Sequence, residues 1–188
     1  MNKHIIYLAA GNSRRFGSNK LLHITQGKPL YQHGLDMLME FCRKHTDCTL
    51  LVVSQYEEIL HQAEKCGIRA VYSPLSVKGM SYTIRAALQA LGDIPEEDFL
   101  IFAVADQPCL SEHTMGKLIE CASSGVETAS VAYGDRPGNP AMFSVGLIPE
   151  LLSLQGDEGG RKIIRRHACT YIQVQDEREL MDIDTPDY

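Results

Sequence analysis

The chain has 188 residues, 44% of them hydrophobic and 22% charged, and a formal net charge of -6. That length suits one domain with a sizeable core and is short for two, while the composition is that of a globular protein. The acidic balance argues against a general nucleic-acid-binding surface, and the longest apolar runs, such as FLIFAVA at 99–105, fall far short of the ~20 residues that cross a bilayer. Met1-Asn2-Lys3-His4 leads straight into a short apolar segment without a long h-region, so no signal peptide is read and a cytoplasmic location is expected. Cys42, Cys48, Cys66, Cys109, Cys121 and Cys169 form no C-x-x-C pair and keep no zinc spacing with histidine. They read as reduced thiols, mostly small buried hydrophobes.

HIIYLAA (4–10) is an apolar run ended by Gly11, as expected of a strand buried on both faces. Tyr31, Leu35, Leu38 and Cys42 then recur at helical spacing after Pro29, giving a helix over about 30–43. CTLLVVS (48–54) is the next strand. Ile59, Leu60, Ala63 and Cys66 mark a helix that stops at Gly67, and RAVYS (69–73) is a short strand. SPLSVKGMS (73–81) is a loop by composition, leading to the helical stripe Ile84, Ala87, Leu88, Leu91 closed by Gly92. DFLIFAVAD (98–106) is the strongest strand. A helix carrying Met115, Leu118, Ile119 and Ala122 follows, with Ser111 as its cap.

ETASVAY (127–133) is a further strand, GDRPGNP a turn-rich loop and AMFSV (141–145) a short strand. Helices around 147–153 and 158–167, the strand TYIQV (170–174) and the tail MDIDTPDY complete the chain. No repeat, low-complexity tract or linker divides it, so residues 1–188 read as one domain. Strands alternating with amphipathic helices predict an α/β fold with a mostly parallel sheet covered on both faces. Ligands in such folds bind beyond the carboxyl ends of the strands, near a topological switch point. Two loops begin at such ends, at Gly11 and at Asp106.

The first loop, GNSRRFGSNK (11–20), concentrates Arg14, Arg15 and Lys20 in an acidic protein. Glycines let the backbone approach a ligand closely or take positive φ. Arginine offers a planar fork for phosphate oxygens and lysine a compact charge. The spacing is neither that of a P-loop nor that of a dinucleotide fingerprint. Read from its residues alone, the segment is either a phosphate cradle or an ordinary solvated loop. Asp106, at the end of a buried strand before a proline turn, suits a hard cation such as Mg²⁺ as well as it suits a cap. Asp182 and Asp184 alternate around Ile183 and face one side in extended chain, which a bound cation or plain water would relieve.

LAAGNSRRFGSNK resembles the L-A-[AG]-G-x-S-x-R-[FM]-G-x-x-K signature of nucleotidyltransferases at Leu8, Ala9, Ala10, Gly11, Ser13, Arg15, Phe16, Gly17 and Lys20. By that resemblance the backbone of Leu8 to Gly11 borders the nucleobase, with Ser13 in the same nucleotide-binding element. Arg15 and Lys20 hold the triphosphate, and Arg14 sits at an unspecified position. DIDTPDY resembles the second metal-binding element of the same superfamily, so Mg²⁺ is expected on Asp106 and Asp184, with Asp182 next.

GMSYTIRAAL, ADQPCLS, RPGNPAMFS and LQGDEGGRKII resemble further elements of the small molybdenum-cofactor enzymes, with Thr83 and Ala105 as mild departures. The resemblance runs from residue 5 to the end and is to the MobA/MocA-like nucleotidyltransferase family, nearest its molybdenum cofactor cytidylyltransferases. It implies a three-layer αβα, Rossmann-like fold of the nucleotide-diphospho-sugar transferase type. It also implies transfer of CMP from CTP to molybdenum-bound molybdopterin with loss of pyrophosphate. Gly79 and Ser81 then lie by the nucleotide, and Gln107, Asn139, Pro140, Asp157 and Arg161 on the pterin side. Arg15, Lys20 and Asp106 carry the chemistry, and a molybdoenzyme or its chaperone is a possible recipient, with no nucleic-acid or membrane partner. Guanylyl transfer from GTP to the same cofactor, transfer to a sugar or polyol phosphate, and a non-catalytic role in cofactor delivery are the alternatives. The seven histidines share no spacing and no catalytic histidine is expected.

Overall fold

The computed structural model describes residues 1–12, 16 and 19–183. The elements in chain order are β1 (Lys3–Leu8), the short ribbon β2 (Ile24–Thr25) and β3 (Lys28–Pro29), α1 (Leu30–Lys44), β4 (Cys48–Ser54), α2 (Glu57–Lys65), β5 (Arg69–Tyr72) and α3 (Met80–Leu91). They continue with β6 (Phe99–Val104), α4 (Glu112–Glu120), β7 (Thr128–Tyr133), β8 (Arg136–Ser144), α5 (Ile148–Ser153), α6 (Arg161–Ile164) and β9 (Cys169–Gln173). Seven strands form one sheet in the order β5-β4-β1-β6-β8-β7-β9. Only β8 runs against its neighbours, pairing antiparallel with both β6 and β7.

Alternation along the central strands splits the core into two layers, because successive side chains leave a strand on opposite faces. Ile5 and Tyr7 of β1 and Ile101 and Ala103 of β6 pack with Leu35 and Leu38 of α1 and Met115 and Leu118 of α4. Ile6 and Leu8, with Leu100 and Phe102, pack on the other face against Ile84 and Leu88 of α3, Leu151 of α5 and Ile163 of α6. Helices therefore cover both faces of a mostly parallel sheet, the three-layer arrangement expected. Among the described residues no helix is long and apolar enough to cross a membrane.

Local chemistry explains the element ends. Gly34 lets α1 lie close on β1, since a Cβ there would meet the Tyr7 hydroxyl at 2.5 Å. Tyr7 donates that hydroxyl to the Tyr31 carbonyl at 2.7 Å, and burial pushes its pKa well up. Ser111 caps α4 as expected, its Oγ accepting from the Thr114 amide at 3.2 Å.

Four expectations need correction. GDRPGNP is no loop: Gly134 and Asp135 turn a hairpin and residues from Arg136 continue as β8. Its prolines suggested a break, yet Pro137 pairs with Ala132 where the β7–β8 register shifts, so an irregular ladder absorbs the missing donor. SPLSVKGMS contains a 3-10 helix over Pro74–Lys78, and α3 already begins at Met80. The helix expected at 158–167 is confined to Arg161–Ile164. Two glycines precede it, and Gly160 lies so close to Phe143 that a Cβ would come within 2.5 Å of its ring. Of the cysteines, all free, only Cys48 is buried, while Cys66 and Cys109 are exposed. Burial pushes the Cys48 thiol up to about 12.

Candidate active site

β1 and β6 lie side by side, and their carboxyl-terminal residues Leu8 and Val104 are register partners. The chain builds outward from β1 through β4 and β5, then crosses to β6 on the opposite side. The crevice beyond Leu8 and Val104 is therefore the topological switch point of the sheet. Both loops singled out in the sequence open there.

A cleft at this point is walled by Leu8 at the end of β1, by Ala10 and Gly11 where the first loop begins, and by Ala105 and Asp106 beyond β6. Asn12, Lys20, Gly79, Thr83 and Asp157 complete its walls. Lys20 opens a 3-10 turn, Lys20–Leu22, whose preceding Asn19 accepts from the Leu21 amide through its side chain at 3.1 Å. The Lys20 residue is only 8% exposed, and its ammonium donates to Asp106 Oδ2 at 2.7 Å. Phe16, buried nearby, packs edge-on against His23. Two loops far apart in sequence thus set a cation against a carboxylate at the floor of the crevice.

The end of the first strand is held by an unforeseen set of side chains. Beyond the last ladder bond, from the Ala9 amide to the Val53 carbonyl, Ser54 Oγ donates to the Ala9 carbonyl at 2.6 Å. Gln55 donates to the Ala10 carbonyl at 2.7 Å, and the Tyr56 hydroxyl to the Gly11 carbonyl at 2.7 Å. On the opposite wall Thr83 donates to Ser76 Oγ at 2.7 Å, and Ser76 to Ser73 Oγ at 2.8 Å. Ser76 and Thr83 line the cleft, and neither was expected there.

Gly79 has a φ of +133°, and a Cβ on it would fall 2.3 Å from the carbonyl carbon and oxygen of Gly156. This contact docks the 156–157 loop against the start of α3, where the Ser81 amide donates to the Gly156 carbonyl at 3.0 Å. Gly11 differs, since nothing lies within 4 Å of where its Cβ would be. The protein does not itself require glycine at that position.

A second cleft adjoins the first and shares Leu8, Met80 and Val104 with it. Its floor is apolar, with Phe102, Phe143 and Ile164, and its polar groups include Asn139, Arg161 and Ser130. The Arg161 guanidinium donates to the Pro137 carbonyl at 2.7 Å.

The structure regroups several expected residues. Ala9 is fully buried, so of the first four only Leu8, Ala10 and Gly11 reach the cleft. Ser81 is 1% exposed, its amide engaged by Gly156 and its hydroxyl without a partner among the described residues, so it lies behind the cleft. Asp157 lines the first cleft with Asp106 and Lys20, apart from Asn139 and Arg161. Pro140 is buried and lines neither cleft. Gln107, 4% exposed, lines neither: it donates to the Leu180 carbonyl at 3.3 Å and to Asp182 Oδ1 at 2.8 Å. With the Ile183 amide on the Asp106 carbonyl at 3.0 Å, this brings Asp182 to the underside of the Asp106 turn. Ser13, Arg14, Arg15, Gly17 and Asp184 lie outside the described residues.

Asp106 and Asp157 line one cleft, and a hard divalent cation takes oxygen donors from one or two carboxylates and completes its shell with phosphate and water. Among the described residues no group of three or more histidine, cysteine or acidic side chains is placed to hold a metal on its own. Asp106 already faces one cation, Lys20, in a partly buried site.

A family model described as the MobA-like NTP transferase domain matches residues 5–170. Purine catabolism protein PucB of Bacillus subtilis is 27% identical over 196 residues, covering 97% of this chain and 91% of its own. Rv0371c of Mycobacterium tuberculosis, solved in complex with manganese, superposes with a TM-score of 0.69 at 22% identity, covering 93% of this chain and 89% of that one. Molybdopterin-guanine dinucleotide biosynthesis protein A of Archaeoglobus fulgidus gives a TM-score of 0.70 at 20% identity over 98% of this chain and 93% of its own. With the match spanning most of its length, the chain belongs to the MobA-like NTP transferase family.

Proposed function

We propose that the protein transfers CMP from CTP to the terminal phosphate of molybdenum-bound molybdopterin, releasing pyrophosphate. The observation that carries this reading is the meeting of Lys20 and Asp106 at the switch point, beside two clefts with a common wall. One cleft takes the nucleoside triphosphate and the other the acceptor. Their boundary at Leu8, Met80 and Val104 is where a phosphorus atom can pass between ligands.

An oxygen of the acceptor phosphate attacks the α-phosphorus as the bond to pyrophosphate breaks. Leu8, Ala10 and Gly11 border the base. Lys20, with Arg15, balances charge on the triphosphate and on the departing pyrophosphate. Asp106 would hold Mg²⁺, with Asp184 and Asp182 as the further candidate carboxylates, and the ion would supply Lewis-acid charge to phosphate oxygens. Asn139 and Arg161 hold the acceptor, while Asp157 serves the nucleotide cleft. Catalysis is by positioning and charge without a covalent enzyme intermediate.

The choice of CTP rests on the resemblance of the motifs taken together, from residue 5 to the end, to the molybdenum cofactor cytidylyltransferases. Guanylyl transfer is the second reading, favoured by the Archaeoglobus relative named for a guanine dinucleotide. Pyrophosphate release with molybdenum-loaded molybdopterin, offered CTP or GTP separately, distinguishes them. Release with GTP alone overturns the base assignment, and release with neither overturns the reaction.

A further inference from the structure

The first cleft has a wall whose backbone is fixed by another strand's side chains. β4 gives way to α2 after Ser54, so the β1–β4 ladder stops at Ala9. The next carbonyls of the first loop still lie opposite β4's continuation. Ser54, Gln55 and Tyr56 donate in turn to Ala9, Ala10 and Gly11, so side chains prolong the pairing that the backbone has abandoned. Ser54 Oγ also accepts from the Tyr56 amide at 3.0 Å, which stiffens the donor segment itself.

The Gln55 amide makes a second bond, to Asn12 Oδ1 at 3.0 Å, and Asn12 Nδ2 donates to the Val77 carbonyl at 2.9 Å. The orientation of both amides follows from their partners. Backbone carbonyls only accept, so Ala10 and Val77 must face NH₂ groups, which leaves Asn12 Oδ1 toward the other proton of Gln55. Val77 lies in the 3-10 helix over Pro74–Lys78 that borders the cleft opposite the first loop. The relay Gln55–Asn12–Val77 therefore spans the mouth of the cleft.

We infer that Ser54, Gln55 and Tyr56 are positioning residues for the nucleotide loop, and that Gln55, through Asn12, couples the two walls that receive the base. This deepens the proposed function and rests on its assignment of the first cleft to a nucleoside triphosphate. None of the three touches reacting atoms. Their effect is to preset the backbone of Ala10 and Gly11, so that nucleotide binding need not order it, and preorganisation of this kind appears in affinity.

The test compares Gln55→Ala, Gln55→Glu, Asn12→Asp and Tyr56→Phe with the unaltered chain. Titration with Mg·CTP and Mg·GTP, turnover, thermal melting and hydrogen exchange are the readouts. Gln55→Ala removes two hydrogen bonds and should weaken triphosphate binding about tenfold. Its kcat at saturation should stay within about threefold, with a fall in melting temperature of about 2–8 °C from the lost hydrogen bonds. Gln55→Glu, which offers no donor to Ala10 or Asn12, should lose more, and Tyr56→Phe less. Asn12→Asp keeps the acceptor for Gln55, but it loses the bond to Val77, sets a carboxylate against that carbonyl and adds negative charge to a wall of the triphosphate cleft, so it should bind more weakly than Gln55→Ala. Without nucleotide, exchange of the amides at 10–12 and 75–78 should quicken in Gln55→Ala. Undiminished binding and unchanged exchange in that variant overturn the inference while the proposed reaction stands. Failure of the unaltered chain to bind either triphosphate overturns the proposed function, and this inference with it.

Discussion

Replacing Gly79 by alanine tests how the two clefts are joined. A Cβ would sit 2.3 Å from the carbonyl carbon and oxygen of Gly156 and 2.7 Å from the Asp157 amide nitrogen, all of them backbone. No rotamer change can relieve such a clash, so the 156–157 loop must move by roughly 0.7 Å or more merely to reach the shortest contacts that proteins tolerate. The φ of +133° adds strain of about 1–3 kcal/mol, since that region is in practice reserved for glycine. Displacement of the loop also removes the hydrogen bond from Ser81 to Gly156, worth about 1 kcal/mol. The sum is about 2–4 kcal/mol, or a fall of roughly 5–15 °C in Tm for a chain of this size. Because Asp157 rides on the same loop, triphosphate affinity should fall as well. Calorimetric melting with a parallel Mg·CTP titration measures both effects. A variant that melts and binds like the unaltered protein would refute the close approach and the role given to the loop.

Gly11→Ala is the counterpart, since open space surrounds that position. It should leave Tm within about 2 °C of wild type and weaken nucleotide binding, an outcome read from the same two assays. Asp106→Asn and Lys20→Met should each cut kcat by about a hundredfold or more, as expected for groups that balance charge at the reacting phosphate, measured as initial rates of pyrophosphate release. Near-normal rates in either variant would remove that residue from the chemistry. Asp98, at the far end of the sheet, gives a pH prediction. Burial pushes its pKa up, but the Asn2 amide at 2.5 Å, His4 at 3.1 Å and the Asn2 side chain at 3.2 Å more than offset this and hold it below the usual carboxylate range. A depressed folded-state pKa means that this contribution is present above about pH 4 and lost as pH falls through the folded value. Asp98→Asn should therefore flatten the acid limb of a Tm-against-pH curve. An unchanged limb would show that Asp98 does not contribute to it.

Most of the sheet was legible because its strands are short apolar runs bounded by glycine or polar residues. Its helices showed their apolar stripes. Asp106 was marked by its place at the end of a buried strand and Lys20 by the resemblance of LAAGNSRRFGSNK to the nucleotidyltransferase signature, and the structure sets the two 2.7 Å apart. Features that depend on which distant segments touch were not legible. The first half of β8 reads as a loop because its prolines and glycine outweigh the pattern until Ala132 and Pro137 are seen as partners across a shifted register. The loop at 156–161 could not be divided between clefts from sequence. Gly79 draws its first residues to the nucleotide side, while Gly160 sets the rest against Phe143. Gln107, read as an acceptor contact, is drawn inward by the C-terminal tail. Ser54, Gln55 and Tyr56 carry no local signal, since their partners lie 45 residues earlier in the chain.

The central claim is that the crevice beyond β1 and β6 grips a triphosphate and hands its α-phosphorus to an acceptor in the adjoining cleft. Mg²⁺-dependent pyrophosphate release with molybdenum-loaded molybdopterin and each of CTP, GTP, ATP and UTP tests it most directly, with Asp106→Ala in parallel. Release is expected with CTP, dependent on the acceptor and abolished in the variant. Equal release from the Asp106→Ala protein, or none from the folded wild type with any of the four nucleotides, would contradict it.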